Sequence, residues 1–134
     1  MVLAEELPPD ASIASTGLTL RTVGNYCYAY SGVVGVDAEK TLLEFNSGAL
    51  LIRSRSQAGY PNTSGDDFTY RIYFNNIVVY AFTSGGSNPH HEVDTWIDLI
   101  VPPFTRVKLT AENLDTGNER DQCFIFTGRL YDSI

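Results

Sequence analysis

Residues 68–82 read FTYRIYFNNIVVYAF, and this stretch decides the fold class. Phe68, Tyr70, Ile72 and Phe74 fall on alternate positions, with Thr69, Arg71 and Tyr73 between them. Successive side chains of a strand point to opposite faces, so this period predicts a half-buried β-strand. Asn75-Asn76 follows. Asparagine accepts positive φ more readily than most residues with a side chain, which suits a two-residue turn. Residues 77–82 then return as a second strand, almost wholly β-branched or aromatic. A β-hairpin at the centre of the protein is the expectation.

The same patterning continues outward. Upstream, residues 17–22 (GLTLRT) alternate, and 25–36 (NYCYAYSGVVGV) place Tyr26, Tyr28 and Tyr30 on one face against Cys27, Ala29 and Ser31 on the other. Gly32 and Gly35 suggest a bend or bulge there. Residues 40–45 (KTLLEF) read as a short strand or a single helical turn. Asn46-Ser47-Gly48 is a turn, after which 49–55 (ALLIRSR) is expected to pair back. Downstream, 94–101 (DTWIDLIV) runs into Pro102-Pro103, where a ladder donor is lost and the strand must end or leave its sheet. Residues 105–111 (TRVKLTA) alternate again, and 122–131 (QCFIFTGRLY) close the chain, with Gly128 expected as a bulge. Polar loops fill 56–67, 83–92 and 112–121.

About eight or nine short strands at this spacing predict an all-β sandwich or barrel. Long connections alternate with tight turns, as Greek-key crossings require. The expected architecture is a single-domain antiparallel β-sandwich, jelly-roll-like, over residues 16–134. An extended N-terminal arm, residues 1–15, precedes it. Pro8-Pro9 opposes regular helix in that arm, and Val2, Leu3, Leu7 and Ile13 give it apolar side chains to bury, either on a neighbouring subunit or nowhere if the terminus frays.

A chain of 134 residues with 43% hydrophobic and 12% aromatic residues can bury a single core. The net charge is −7, and the nine Lys and Arg are scattered. Phosphate-backbone binding needs clustered cations, so neither a nucleic acid nor an anionic membrane surface is an expected partner. The first residues carry acids where a secretory signal would carry a basic segment, and no run reaches transmembrane length. Synthesis and folding in a cytoplasm are expected. Cys27 and Cys123 lie in predicted strands and read as separate buried thiols, with a disulfide open only if those strands are neighbours.

No catalytic motif stands out. His90-His91-Glu92 with Asp94 is the one cluster resembling metal ligands, but adjacent strand residues point to opposite faces, and an exposed loop explains them equally. Asp115 to Asp121 echoes a calcium loop without its spacing, and Asp66-Asp67 is similar; solvated acidic turns are the plainer reading. The nucleophile elbow G-x-S-x-G is absent from the sequence. The expectation is a non-enzyme without cofactor or metal.

Residues 94–131 resemble small β-sandwich proteins of tailed-phage particles. The resemblance rests on the apolar strand into Pro102-Pro103, the strand 107–110, the polar loop and the closing Phe126-Thr127-Gly128-Arg129-Leu130-Tyr131. It implies a capsid decoration (cement) protein, a jelly-roll subunit commonly trimeric on the outside of an icosahedral shell. Its partners would be itself, as a homotrimer, and a major capsid protein. An acidic arm with Glu5, Glu6 and Asp10 suits an outer surface rather than a genome-facing one. The residues expected at subunit contacts are Val2, Leu3, Leu7, Pro8, Pro9, Ile13, Tyr26, Tyr28 and Tyr30. The alternative is a carbohydrate-binding module or receptor-binding β-sandwich of a phage fibre or tail, its sugar site built from the tyrosines, Trp96 and loops 56–67 and 83–92.

Overall fold

The computed structural model describes residues 11–12, 20–59, 67–84, 96–114 and 119–132. All regular structure among them is β. The strands are β1 (Ala11–Ser12), β2 (Arg21–Val23), β3 (Tyr26–Tyr30), β4 (Val34–Val36), β5 (Lys40–Asn46) and β6 (Leu50–Gly59). They continue with β7 (Phe68–Phe74), β8 (Ile77–Ser84), β9 (Ile97–Val101), β10 (Arg106–Asn113) and β11 (Arg120–Asp132). Two antiparallel sheets form, in the orders β1-β5-β10-β7-β8 and β2-β3-β11-β6-β9, with β4 also pairing β11. Packed together they make the expected β-sandwich.

Alternation explains the layering. Phe124, Phe126 and Leu130 of β11 point inward, as do Val107, Leu109 and Ala111 of β10. Phe45 of β5 meets Phe126 across the layers, with ring centroids 4.7 Å apart, and Tyr70 of β7 meets Phe124 edge-on at 6.1 Å. Burying one such side chain stabilises by roughly 1.5–3 kcal/mol, so these rings hold the sheets together.

The central hairpin forms as read: Asn75 and Asn76 both adopt positive φ, at 51° and 66°. Asn75 is also tied down, because its Oδ1 accepts the Arg106 N–H at 2.9 Å and its own N–H donates to the Arg106 carbonyl at 2.8 Å. Its position in the sandwich is not central, however. Strand β8 ends its sheet, and the middle places go to β10 and β11. The turn at Asn46–Gly48 differs too. Residues 40–45 form strand β5, not a helical turn, and β6 leaves for the opposite sheet instead of pairing back. That crossing is stapled to the Pro102-Pro103 corner. Ser47 Oγ donates to the Pro102 carbonyl at 2.7 Å and accepts the Thr105 N–H at 2.9 Å, while Phe104 N–H donates to Gly48 O at 2.6 Å. Gly128 makes no bulge, since β11 keeps register with β3 and β6 through it. Gly32 does bend the chain, at φ 69°, and separates β3 from β4.

Of the expected arm, only Ala11–Ser12 is described, paired to Phe45 and Glu44 at the edge of β5. Val2, Leu3, Leu7, Pro8, Pro9 and Ile13 lie outside the described residues.

Candidate functional site

The outer face of the sheet β2-β3-β11-β6-β9 carries a concavity of about 720 Å³. Register builds it in rows. One row runs Arg21, Tyr28, Thr127, Arg55, Asp98; the next runs Val23, Tyr26, Arg129, Arg53, Ile100. Directly opposed residues share a face, so these side chains stand side by side. Tyr26, Tyr28 and Tyr30 are all exposed, and the Tyr28 and Tyr30 rings sit 5.4 Å apart. The structure therefore brings the three tyrosines into one open wall.

Arginines form the floor. Arg55 Nε meets Asp98 Oδ1 at 3.1 Å and its guanidinium lies 5.5 Å from the Trp96 ring. Arg129 lies between Tyr26 and Tyr131, at 5.7 and 5.4 Å from their centroids. Arg53 is exposed and has no ion pair among the described residues, although it stands opposite Arg129. Like charges opposed across a ladder repel and are destabilising. Spacing could have indicated this face: in 49–55, Arg53 and Arg55 alternate with Ile52 and Ser54, and in 128–131, Arg129 and Tyr131 share a face. What the sequence does not carry is the adjacency of β3, β11, β6 and β9.

The opposite sheet treats its charges differently. Arg71 pairs with Glu112 at 2.8 Å and Glu39 at 3.5 Å, and Arg106 pairs with Glu44 at 3.4 Å. Burial alone would raise the Glu39 carboxyl. Hydrogen bonds from Tyr73 (2.6 Å) and Thr110 (2.7 Å), with the charges of Arg71 and Lys108, outweigh it and hold Glu39 below the ordinary range.

At the β8 edge of that same sheet, Ile77, Val78, Val79 and Tyr80 are all exposed, Ile77 at 68%. The ladder shifts register beside Ile72–Tyr73, opposite Val78–Tyr80, which marks a bulge. Strand β8 contains neither a charged residue nor a proline.

Cys27 faces inward, and burial pushes its thiol up to about 12, far from a reactive thiolate. Strands β3 and β11 are neighbours, yet Cys27 opposes Gly128 while Cys123 opposes Gly59, and no disulfide joins them. Cys27 is buried as expected; Cys123 is only partly so. His90, His91, Glu92, Asp94, Asp66 and Asp115 lie outside the described residues, and among the described residues no three metal-binding side chains cluster. No protein-family model matches this chain, and no curated protein sequence is significantly similar to it.

Proposed function

We infer that the chain is a non-catalytic structural subunit that works by assembling with copies of itself and with a larger protein lattice, as the outer decoration protein of a phage capsid does. The observation that carries the assembly reading is β8, a long, apolar, uncharged edge strand whose outer side pairs with no strand among the described residues. Edge strands are ordinarily blunted by lysine, proline or a bulge, and β8 has the bulge alone. The virion assignment rests on the resemblance of residues 94–131 to small phage β-sandwich proteins. The strand order supports it: β3-β11-β6-β9 faces β5-β10-β7-β8, and along these eight strands every connection but the β7–β8 hairpin crosses between sheets. We read that order as a jelly roll, two Greek keys folded together.

Such a subunit needs no chemistry. Binding only to the assembled lattice stabilises that lattice by its binding free energy. We place β8 at the homotrimer contact and the acidic surface toward solvent. Light scattering on a sizing column tests this. The wild-type mass is expected to exceed one chain and approach three, and Val79→Lys is expected to return it to one. A wild-type protein that stays monomeric across a hundredfold concentration range, roughly 3 kcal/mol of association free energy, overturns the self-assembly reading.

A further inference from the structure

We propose that the outer face of the β2-β3-β11-β6-β9 sheet is a binding site for an acidic polysaccharide, with a uronate-type carboxylate seated between Arg53 and Arg129 and sugar rings lying on Tyr28 and Tyr30. The proposal is independent of the assembly reading, since β8 belongs to the other sheet.

Three features point to this ligand. The first is uncompensated charge in a protein of net charge −7. Among the residues lining the concavity, Arg53, Arg55 and Arg129 are exposed against one carboxylate, Asp98, and that one is already paired to Arg55. The opposite sheet gives its central arginines acidic partners. An anion bridging Arg53 and Arg129 relieves their direct opposition, and a guanidinium matches a carboxylate through two parallel hydrogen bonds. The second is rigidity. Arg129 is held between Tyr26 and Tyr131, and Tyr26 Oη lies 3.5 Å from the Arg129 guanidinium, so half of the seat is formed in advance. The third is the aromatic wall. Adjacent exposed tyrosines offer flat apolar rings with polar tips, suited to stacking on a sugar ring while hydrogen-bonding its hydroxyls. The charge excludes a neutral glycan as the preferred ligand, and the tyrosines separate a sugar from a merely acidic peptide.

Isothermal titration of the full chain with polygalacturonate, polyglutamate and dextran tests the proposal. Polygalacturonate is expected to bind at least about tenfold more tightly than either control, over dextran through the charge-assisted pair that dextran lacks and over polyglutamate through the ring stacking that polyglutamate lacks. Arg53→Gln and Tyr28→Ala are each expected to weaken it by about tenfold or more, and Lys108→Gln on the other sheet to leave it unchanged. Urea midpoints verify that the variants are folded, and Arg53→Lys and Tyr28→Phe provide milder replacements that should retain part of the affinity. Equal binding of polyglutamate and polygalacturonate, or full affinity in both Arg53→Gln and Tyr28→Ala, overturns the proposal.

Discussion

Gly128 sits on the inward face of β11, where a Cβ would come 2.5 Å from Ile52 Cγ2 and 3.3 Å from Cys27 Sγ. Its neighbours belong to the strands on either side, β6 and β3, so neither can retreat without disturbing a ladder. The glycine is required by space, not by backbone angle, which is why sequence alone suggests a bulge that the structure lacks. Gly128→Ala is expected to destabilise by about 1–3 kcal/mol, the usual range for overpacking, as a lowered urea midpoint with unchanged slope. Tyr70 makes a second case. Its hydroxyl donates to Gln122 Oε1 within the core, and Gln122 Nε2 donates to the Asp121 carbonyl at 2.7 Å. Alternation marks Tyr70 as buried but does not name its partner on a strand distant in sequence. Tyr70→Phe removes the hydroxyl and leaves a buried amide oxygen without that donor, at a cost of about 1–3 kcal/mol. Thermal melts of Tyr70→Phe and of Tyr70→Phe/Gln122→Leu decide the point: the double variant should recover part of the loss.

Strand identity was legible because period-two alternation is a local property; strand neighbours were not, because pairing joins distant segments. The hairpin was read from Asn75-Asn76 and its flanks, yet nothing in IVVYAF distinguishes an edge strand from a central one. The tyrosine face of β3 was legible in the same way, whereas the arginines beside it arrive from β6 and β11. Pairing across strands also decides how the other sheet responds to acid. Glu39 lies before β5, while its partners Tyr73, Thr110 and Arg71 lie on β7 and β10. A carboxyl held below its ordinary value stabilises the fold above that ordinary value, about 4.5, and the contribution disappears as pH falls through the lowered one. The Glu39 side chain is 36% exposed, so solvent screening limits the effect to about 0.5 kcal/mol. Glu39→Gln should therefore lower stability slightly and evenly at neutral pH, and the gap from wild type should close in acid. A gap that persists in acid assigns the loss to hydrogen bonding rather than charge.

At the scale of the whole molecule the two ends of the chain carry unequal weight. Within the described residues, the N-terminal segment contributes β1, whose residues Ala11 and Ser12 pair at the edge of β5. The C-terminal segment contributes β11, which pairs β3, β4 and β6 and carries Phe124, Phe126 and Leu130 into the core. Each of those side chains is worth roughly 1.5–3 kcal/mol when buried, so together they rival the 5–15 kcal/mol by which a domain is ordinarily stable. Removing β11 also opens the middle of a sheet and exposes two inner edges at once. Deleting residues 1–15 is expected to leave a cooperative urea transition and an unchanged near-ultraviolet circular dichroism signal. Deleting residues 120–134 is expected to abolish both. The first deletion further separates two routes to assembly: if the particle contact lies at β8, the shortened chain still self-associates, whereas a loss of association with the fold intact moves the contact to the arm. A chain lacking β11 that still unfolds cooperatively would mean that the sheet β1-β5-β10-β7-β8 is stable without the layer that β11 anchors.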